Sequence, residues 1–478
     1  MASAAVIEVE PPGRENPTRV VWALAWPAVA LNSLQVVNTL LDRFFIGHLE
    51  SSALTAQGAS QNVMFLMFSI AAAIGTASTA IVSRSFGAGD VAGYRIGAKE
   101  ATSVSVIFGF LLAAASAGIT PFAAHFILPA DDKRSVVLMI QYLLAYSVGL
   151  PGIFVIQTLA GSLRGIGDTK SPMVISGFQI LLHVTLNFLL IFPRRVIGGV
   201  HIPGANLGLP GASTALSISS AVAALVYLGY TGRTPLGRLW KMTIPTWEWV
   251  ARIMRIALPA ATMMILRVFS GVAFTLVLAR VPDASASIAA MGVAFAIEGI
   301  MYMPSFGLQV AASALVGQSL GMKRPDRAER LGWIASHHAA LVTLALALPL
   351  AIFAPSIVSV VVDGKADIVA EAALLLRLLC ATEVMFAYSM VLIGAMQGAG
   401  DTMRPMYISV FSMWGLRVPL ALFLALPRGI NLMSWLVLPF GAGLGAGGAW
   451  VAVSLTQAIQ GGLCIVAFRR GDWKLMKV

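Results

Sequence analysis

Asp42 is the first residue in the chain to suggest chemistry. It is the only acidic residue inside an apolar stretch of the first half, and it follows Gln35 and Asn38 at i and i+3, counted from Gln35, with Asp42 itself at i+7. At about 100° per residue these three side chains share one helical face. A second polar stripe, Gln179, His183 and Asn187 at i, i+4 and i+8, lies in a later apolar stretch. Two such stripes facing each other would line a pocket in which a carboxylate can take up and release a proton. Alternatively, Asp42 sits at a wet mouth and His183 simply bonds to its neighbours. The second half carries Arg267, Glu298, Glu383 and Arg417 inside apolar stretches, with Tyr302 one turn beyond Glu298. Two opposite-charge pairs at similar depth invite pairing, and Arg267–Glu298 is the expected pair because their stretches are consecutive. Two readings stay open: a polar network that binds a cation or takes part in coupling, or a static ion network that fixes packing.

The elements that carry these residues follow from composition. The 478 residues are 58% hydrophobic and 11% charged, far fewer charges than the roughly 25% of a globular protein. Most of such a chain must be solvated by lipid, and a helix needs about 20 apolar residues to cross a bilayer. This excludes a cytosolic enzyme, a nucleic-acid-binding domain and a disulfide scaffold. Cys380 and Cys464 both lie in apolar runs. The net charge of +11 marks the ends of membrane spans rather than a nucleic-acid partner. The run Val20–Leu41 is too long for the apolar core of a signal peptide and reads as a span.

Stretches free of Asp, Glu, Lys and Arg run over 20–41, 51–83, 101–130, 135–163, 171–193 and 196–232. Six more spans, with scattered charges, run over about 254–280, 285–317, 331–354, 368–396, 405–427 and 443–468. The expected fold is an all-α integral membrane protein of twelve transmembrane helices. Its units are a tail 1–19, a six-helix lobe 20–230, a linker 231–253, a second six-helix lobe 254–468 and a tail 469–478. The halves repeat: Gly161–Met173 answers Gly394–Met406 with seven of thirteen residues identical, Ala25-Trp-Pro-Ala28 answers Ala257-Leu-Pro-Ala260, and Ser85-Phe-Gly87 answers Ser319-Leu-Gly321. An even number of spans per half makes the repeat parallel. Of the 32 Lys and Arg, 21 flank one side, 8 the other, and Arg267, Arg377 and Arg417 lie within spans. The basic side faces the cytoplasm, which puts both termini inside a plasma membrane, a bacterial inner membrane in this reading. The basic, Trp-bearing linker reads as an amphipathic segment on the inner leaflet.

Several motifs together resemble the multidrug and toxic compound extrusion (MATE) family. They are Leu40-Leu-Asp-Arg-Phe-Phe-Ile-Gly47, Ala314-Leu-Val-Gly-Gln-Ser-Leu-Gly321, both Gly-x-Gly-Asp-Thr loops, Trp414-Gly-Leu-Arg-Val-Pro419 and Phe468-Arg-Arg-Gly-Asp-Trp473. Their order and spacing cover about residues 17–474. The resemblance implies secondary antiport that exports lipophilic organic cations in exchange for protons or sodium. Some proton-coupled members that resemble the DinF-like branch carry a second acid in span 5, where Asn187 stands here. Sodium-coupled members often carry an acid eight residues after the span-7 proline, a place held by Arg267, and another in span 10 aligned with Phe386. With both recipes incomplete, protons carried by Asp42 are the expected coupling ion ahead of sodium. A flippase for a lipid-linked precursor is the alternative; it would favour a strongly basic cavity, whereas the second half is read as balanced in charge. No catalytic residue, cofactor or metal site is expected. His337 and His338 are adjacent and diverge on a helix, and the Gly-x-Gly-Asp-Thr loops lack the spacing of a phosphate-binding loop and read as capped turns. The expected partners are small organic cations and the bilayer, no nucleic acid, for a monomer.

Overall fold

A helix satisfies its own backbone in lipid, so the apolar runs fold as helices wherever they are long enough. The computed structural model describes residues 16–129, 131–197, 200–240, 243–362, 365–433, 436–437, 440–476 and 478. The expected N-terminal tail lies outside the described residues up to position 15. The first half contains α1 (Pro17–Gly47), α2 (Ser51–Gly87), α3 (Val91–Ile127), α4 (Lys133–Gly165), α5 (Lys170–Leu190) and α6 (Leu209–Thr231). The second contains α7 (Trp247–Leu278), α8 (Ala284–Gly321), α9 (Pro325–Ile352), the short α10 (Ala354–Val362), α11 (Ala366–Gly398) and α12 (Met403–Val410). A π-helical segment (Phe411–Arg417) joins α12 to α13 (Val418–Ala425), and α14 (Gly445–Arg470) closes the half. With α12–α13 taken as one continuous rod, twelve of these are long and apolar enough to cross a membrane.

Helix starts are set by side chains that accept the orphan N–H groups of the first turn. Asn16 accepts from Thr18 and Arg19, Asp90 from Gly93, and Asp132 from Ser135. The bonds from Ser135 hold the Asp132 carboxyl below the usual carboxylate range. Both Gly-x-Gly-Asp-Thr loops are such turns. Gly167 and Gly400 take left-handed φ angles of 88° and 90°, and Asp168 and Asp401 accept from the backbone N–H of Ser171 and Arg404.

Three boundaries differ from the sequence expectation. The charge-free run 196–232 is not one span: β1 (Pro193–Ile197) and β2 (Val200–Ala205) pair as an antiparallel hairpin before α6 begins. Its counterpart in the second half is the small pair β3 (Asn431–Met433) and β4 (Leu436–Val437). α7 starts at Trp247, seven residues before position 254, and the linker has no amphipathic helix among its described residues. Instead Leu236 and Leu239 tuck against the first lobe beside Tyr227, while Trp240 and Trp247 stay exposed.

The two lobes meet in equivalent pairs. α1 packs on α8 as α7 packs on α2, and α4 reaches α8 as α11 reaches α2. The contact is tightest at the face where the chain ends. A Cβ on Gly87 of α2 would sit 2.0 Å from the backbone oxygen of Gln318 in α8. One on Gly321 of α8 would sit 2.1 Å from that of Arg84 in α2. Glycine is required at both positions because the backbones themselves touch. Gln318 adds a hydrogen bond from Nε2 to the Gly165 carbonyl of α4 at 2.8 Å. The last residues cross the same junction: Trp473 is buried and stacked on Phe468, Lys474 pairs with Glu329 at 2.6 Å, and Arg84 donates to the Met476 carbonyl.

Gly321→Val should therefore lower the unfolding temperature of the detergent-solubilised protein, because overpacking against fixed backbone costs about 1–3 kcal/mol. An unchanged unfolding temperature in a thermal melt would mean that α2 and α8 do not meet here.

Candidate functional site

In the first lobe α1 lies against α5, and the register places Asp42 opposite His183 and Asn187, one turn apart on α5. Asp42 Oδ1 accepts two hydrogen bonds: from His183 Nε2 at 2.9 Å and from Asn187 Nδ2 at 2.6 Å. The ring nitrogen and the amide nitrogen are 2.8 Å apart, so the three groups form a closed triangle. His183 and Asn187 are buried, whereas the Asp42 side chain keeps 25% of its exposure. The other ring nitrogen, Nδ1, is buried without a partner among the described residues. Among the described residues Asp42 Oδ2 has no hydrogen-bond partner, so one oxygen is held and the other is open.

The other expected members of this pocket divide. Asn38 lies one turn before Asp42, its Oδ1 buried without a partner. Gln179 turns away and donates to Ser220 of α6 at 3.1 Å. Gln35 is exposed and does not join the group. Tyr142 of α4 faces Asp42 from a buried position; sequence reasoning missed it, since a lone Tyr in an apolar run carries no signal.

In the second lobe the expected Arg267–Glu298 pair is not formed among the described residues. α7 packs against α2 and the α12–α13 rod, whereas α8 packs chiefly against α11, α9 and α1, so consecutive spans are not close neighbours. Glu298 instead accepts from Gln457 of α14 at 2.9 Å. Glu383 of α11 is fully buried beside it, with neither oxygen receiving a bond from any N–H or hydroxyl donor among the described residues. A carboxyl buried without a donor is costly in its charged form. Arg417 donates through Nε to Thr456 of α14 at 3.1 Å. Tyr302 packs edge-on against Phe386 of α11, and Ser305 bonds to Thr343 of α9. The residues that organise the group, Thr456 and Gln457, were not singled out from sequence, where Thr-Gln is unremarkable. Among the described residues no cluster of three or more His, Cys, Asp or Glu is placed to hold a metal.

The MatE family model matches residues 27–189 and 259–423. The "Probable multidrug resistance protein NorM" of Thermotoga maritima is 25% identical over 458 residues, covering 94% of this chain and 92% of that one. A MOP superfamily transporter from Pyrococcus furiosus, described as having a binding pocket of reverse polarity, superimposes with a TM-score of 0.83 at 20% identity, covering 97% and 98% of the two chains. The outward-facing conformation of a multidrug resistance MATE family transporter of the MOP superfamily gives 0.81 at 20% identity, with the same coverage. At these identities the structural likeness establishes the fold: twelve helices in two repeated lobes.

The absence of donors at Glu383, among the described residues, has a consequence for stability. Glu383→Gln keeps the shape of the side chain and breaks no bond from a donor among the described residues, so it should not lower the unfolding temperature. Gln457→Leu removes the donor to Glu298 and should cost about 1–3 kcal/mol. A melt in which the Glu383 variant is the less stable of the two would mean that the Glu383 carboxylate is held by a donor after all.

Proposed function

Because this chain belongs to the MatE family, we propose that it is a multidrug exporter that exchanges lipophilic organic compounds, cations foremost, for protons, with Asp42 as the proton carrier. It is a multi-pass membrane transporter, not an enzyme. The proposed setting is a bacterial inner membrane, with both termini in the cytoplasm and the chain acting as a monomer. The observation that carries the coupling assignment is the half-held carboxylate: Oδ1 takes both donors of α5 while Oδ2 stays open.

The cycle follows from that asymmetry. The lobes are tightly packed at the face where the chain ends, which in this orientation closes the cytoplasmic side and leaves the site to be reached from outside. A proton arriving there adds to Oδ2 without breaking either bond at Oδ1. The neutral acid no longer attracts a cation, so a bound drug is released outward. It also weakens the two charge-assisted bonds to His183 and Asn187, each worth about 1.5–3 kcal/mol when the acceptor is charged, and so loosens α1 from α5. α1 is interrupted by Pro27, which cannot donate to the carbonyl four residues earlier. At this point α8 approaches so closely that a Cβ on Gly307 would sit 2.9 Å from the Ala25 oxygen. A bend at Pro27 thus reaches the interface between lobes, supporting alternating access. Loss of the proton to the cytoplasm restores the bonds and the site.

The oxygen-rich group of Glu298, Glu383 and Gln457 would serve a sodium-coupled exporter, the second reading. Everted membrane vesicles acidified inside by respiration separate the two. Addition of ethidium in sodium-free buffer should release protons from the vesicles, as followed with a pH-reporting dye, and Asp42→Asn should reduce this at least about tenfold. His183→Ala should retain part of the activity, since it positions the acid but does not carry the proton. A response that requires sodium and survives Asp42→Asn would overturn proton coupling at this residue.

A further inference from the structure

Residues 471–478 are joined to both lobes. Their anchor lies in the second, where Gly332 of α9 leaves room for Phe468: a Cβ there would sit 2.5 Å from the ring. Trp473 is fully buried and stacks on that ring at 4.6 Å. Its indole N–H donates to the Phe468 carbonyl at 2.8 Å. Two ion pairs hold the turn Asp472–Leu475, Lys474 with Glu329 of α9 at 2.6 Å and Asp472 with Arg404 of α12 at 3.5 Å. A Cβ on Gly400 would meet the Val478 side chain, and the Val478 backbone oxygen accepts from Arg252 of α7. All of these partners belong to the second half of the chain.

Among the described residues one hydrogen bond crosses from this segment to the first lobe. Arg84, in the last turn of α2, donates through Nη2 to the Met476 carbonyl at 2.8 Å. The same residue lies in the seam between the lobes, since its own backbone oxygen is the atom that requires glycine at position 321. Its Nη1 is buried with no hydrogen-bond partner among the described residues. A charged donor that loses its acceptor while buried is costly, so this bond biases the lobes toward contact.

The chain between the anchor and the bond is short. Three residues lead from Trp473 to Met476, at most about 11 Å when fully extended. Lobes that part beyond this slack must break the bond to Arg84 or draw Trp473 out of its pocket. The bond is the weaker of the two, because Trp473 is held by a stacked ring, a hydrogen bond and complete burial.

We propose that residues 471–478 are a latch, carried by the second lobe, that holds the cytoplasmic seam shut through Arg84 and keeps the resting protein open to the outside. The latch rests on the alternating-access reading above and adds a step to it: Met476 leaves Arg84 before the site can face the cytoplasm.

The test follows a thiol at Leu315→Cys in the full chain in nanodiscs. Leu315 of α8 is buried in the seam, where it lines a small cavity together with Val20 of α1 and Phe86 of α2. A sulfonated maleimide reaches this position only when the lobes part, and mass spectrometry reads its rate site by site. Cys380 of α11 is the internal reference, since it is buried against Met301 of α8 within one lobe. Arg84→Ala, and separately a chain that stops at Leu475, should each raise the rate at Leu315→Cys at least about tenfold and leave Cys380 unchanged. Arg84→Lys keeps a donor and should raise it less than Arg84→Ala. An unchanged rate at Leu315→Cys in either Arg84→Ala or the shortened chain would overturn the latch. So would an equal rise at Cys380, which would make the bond a support of the fold rather than of the gate. Ethidium-driven proton release by the unmodified chain alongside unchanged labelling would sink the latch and leave the exporter standing. Raised labelling confined to the seam, in a protein that releases no protons, would do the reverse.

Discussion

A charge placed in hydrocarbon is too expensive to leave unanswered, and the arrangement of both lobes follows from that cost. Asp42 is tolerated because two donors of α5 reach one of its oxygens. Glu298 is tolerated because Gln457 of α14 donates to it. Among the described residues that account is left open at Asp42 Oδ2, which is the atom the proposed proton exchange uses.

The internal repeat separates scaffolding from chemistry. Positions that shape the backbone recur across the halves, as with Pro27 and Pro259, Gly87 and Gly321, and Gly167 and Gly400. The charged positions inside the spans do not. At the same offsets Asp42 corresponds to Phe274, Glu383 to Leu150 and Arg267 to Gln35. The two prolines lie on helices that make a contact twice, α7 against α2 and α1 against α8, and Gly87 and Gly321 meet in the single contact of α2 with α8. The charged positions inside the spans differ between the halves, so one repeated frame presents different chemistry in its two lobes.

Much of this was legible in the sequence, since a membrane span announces itself by composition. The twelve spans, the repeat and the two polar stripes on α1 and α5 follow from apolar length and from helical spacing within one element. What sequence did not give was pairing between elements. The Arg267–Glu298 pair was expected because their spans are consecutive, yet α7 leaves its neighbour in sequence to pack on α2. The Glu298–Gln457 bond joins residues 159 positions apart, a separation that no periodicity reveals. The hairpin before α6 was hidden for a simpler reason: its Gly- and Pro-rich strands are free of acidic and lysine side chains and merged with the apolar run that follows.

The central claim is that one carboxylate, at Asp42, exchanges a proton for a cationic substrate. Titration calorimetry of ethidium binding to the purified protein tests it directly, when repeated in buffers of different ionisation enthalpy at a pH where the unliganded site holds its proton. The slope of apparent enthalpy against buffer enthalpy counts the protons released. The account predicts about one proton per bound cation in the unmodified protein and none in Asp42→Asn. An undiminished release from the variant would contradict it.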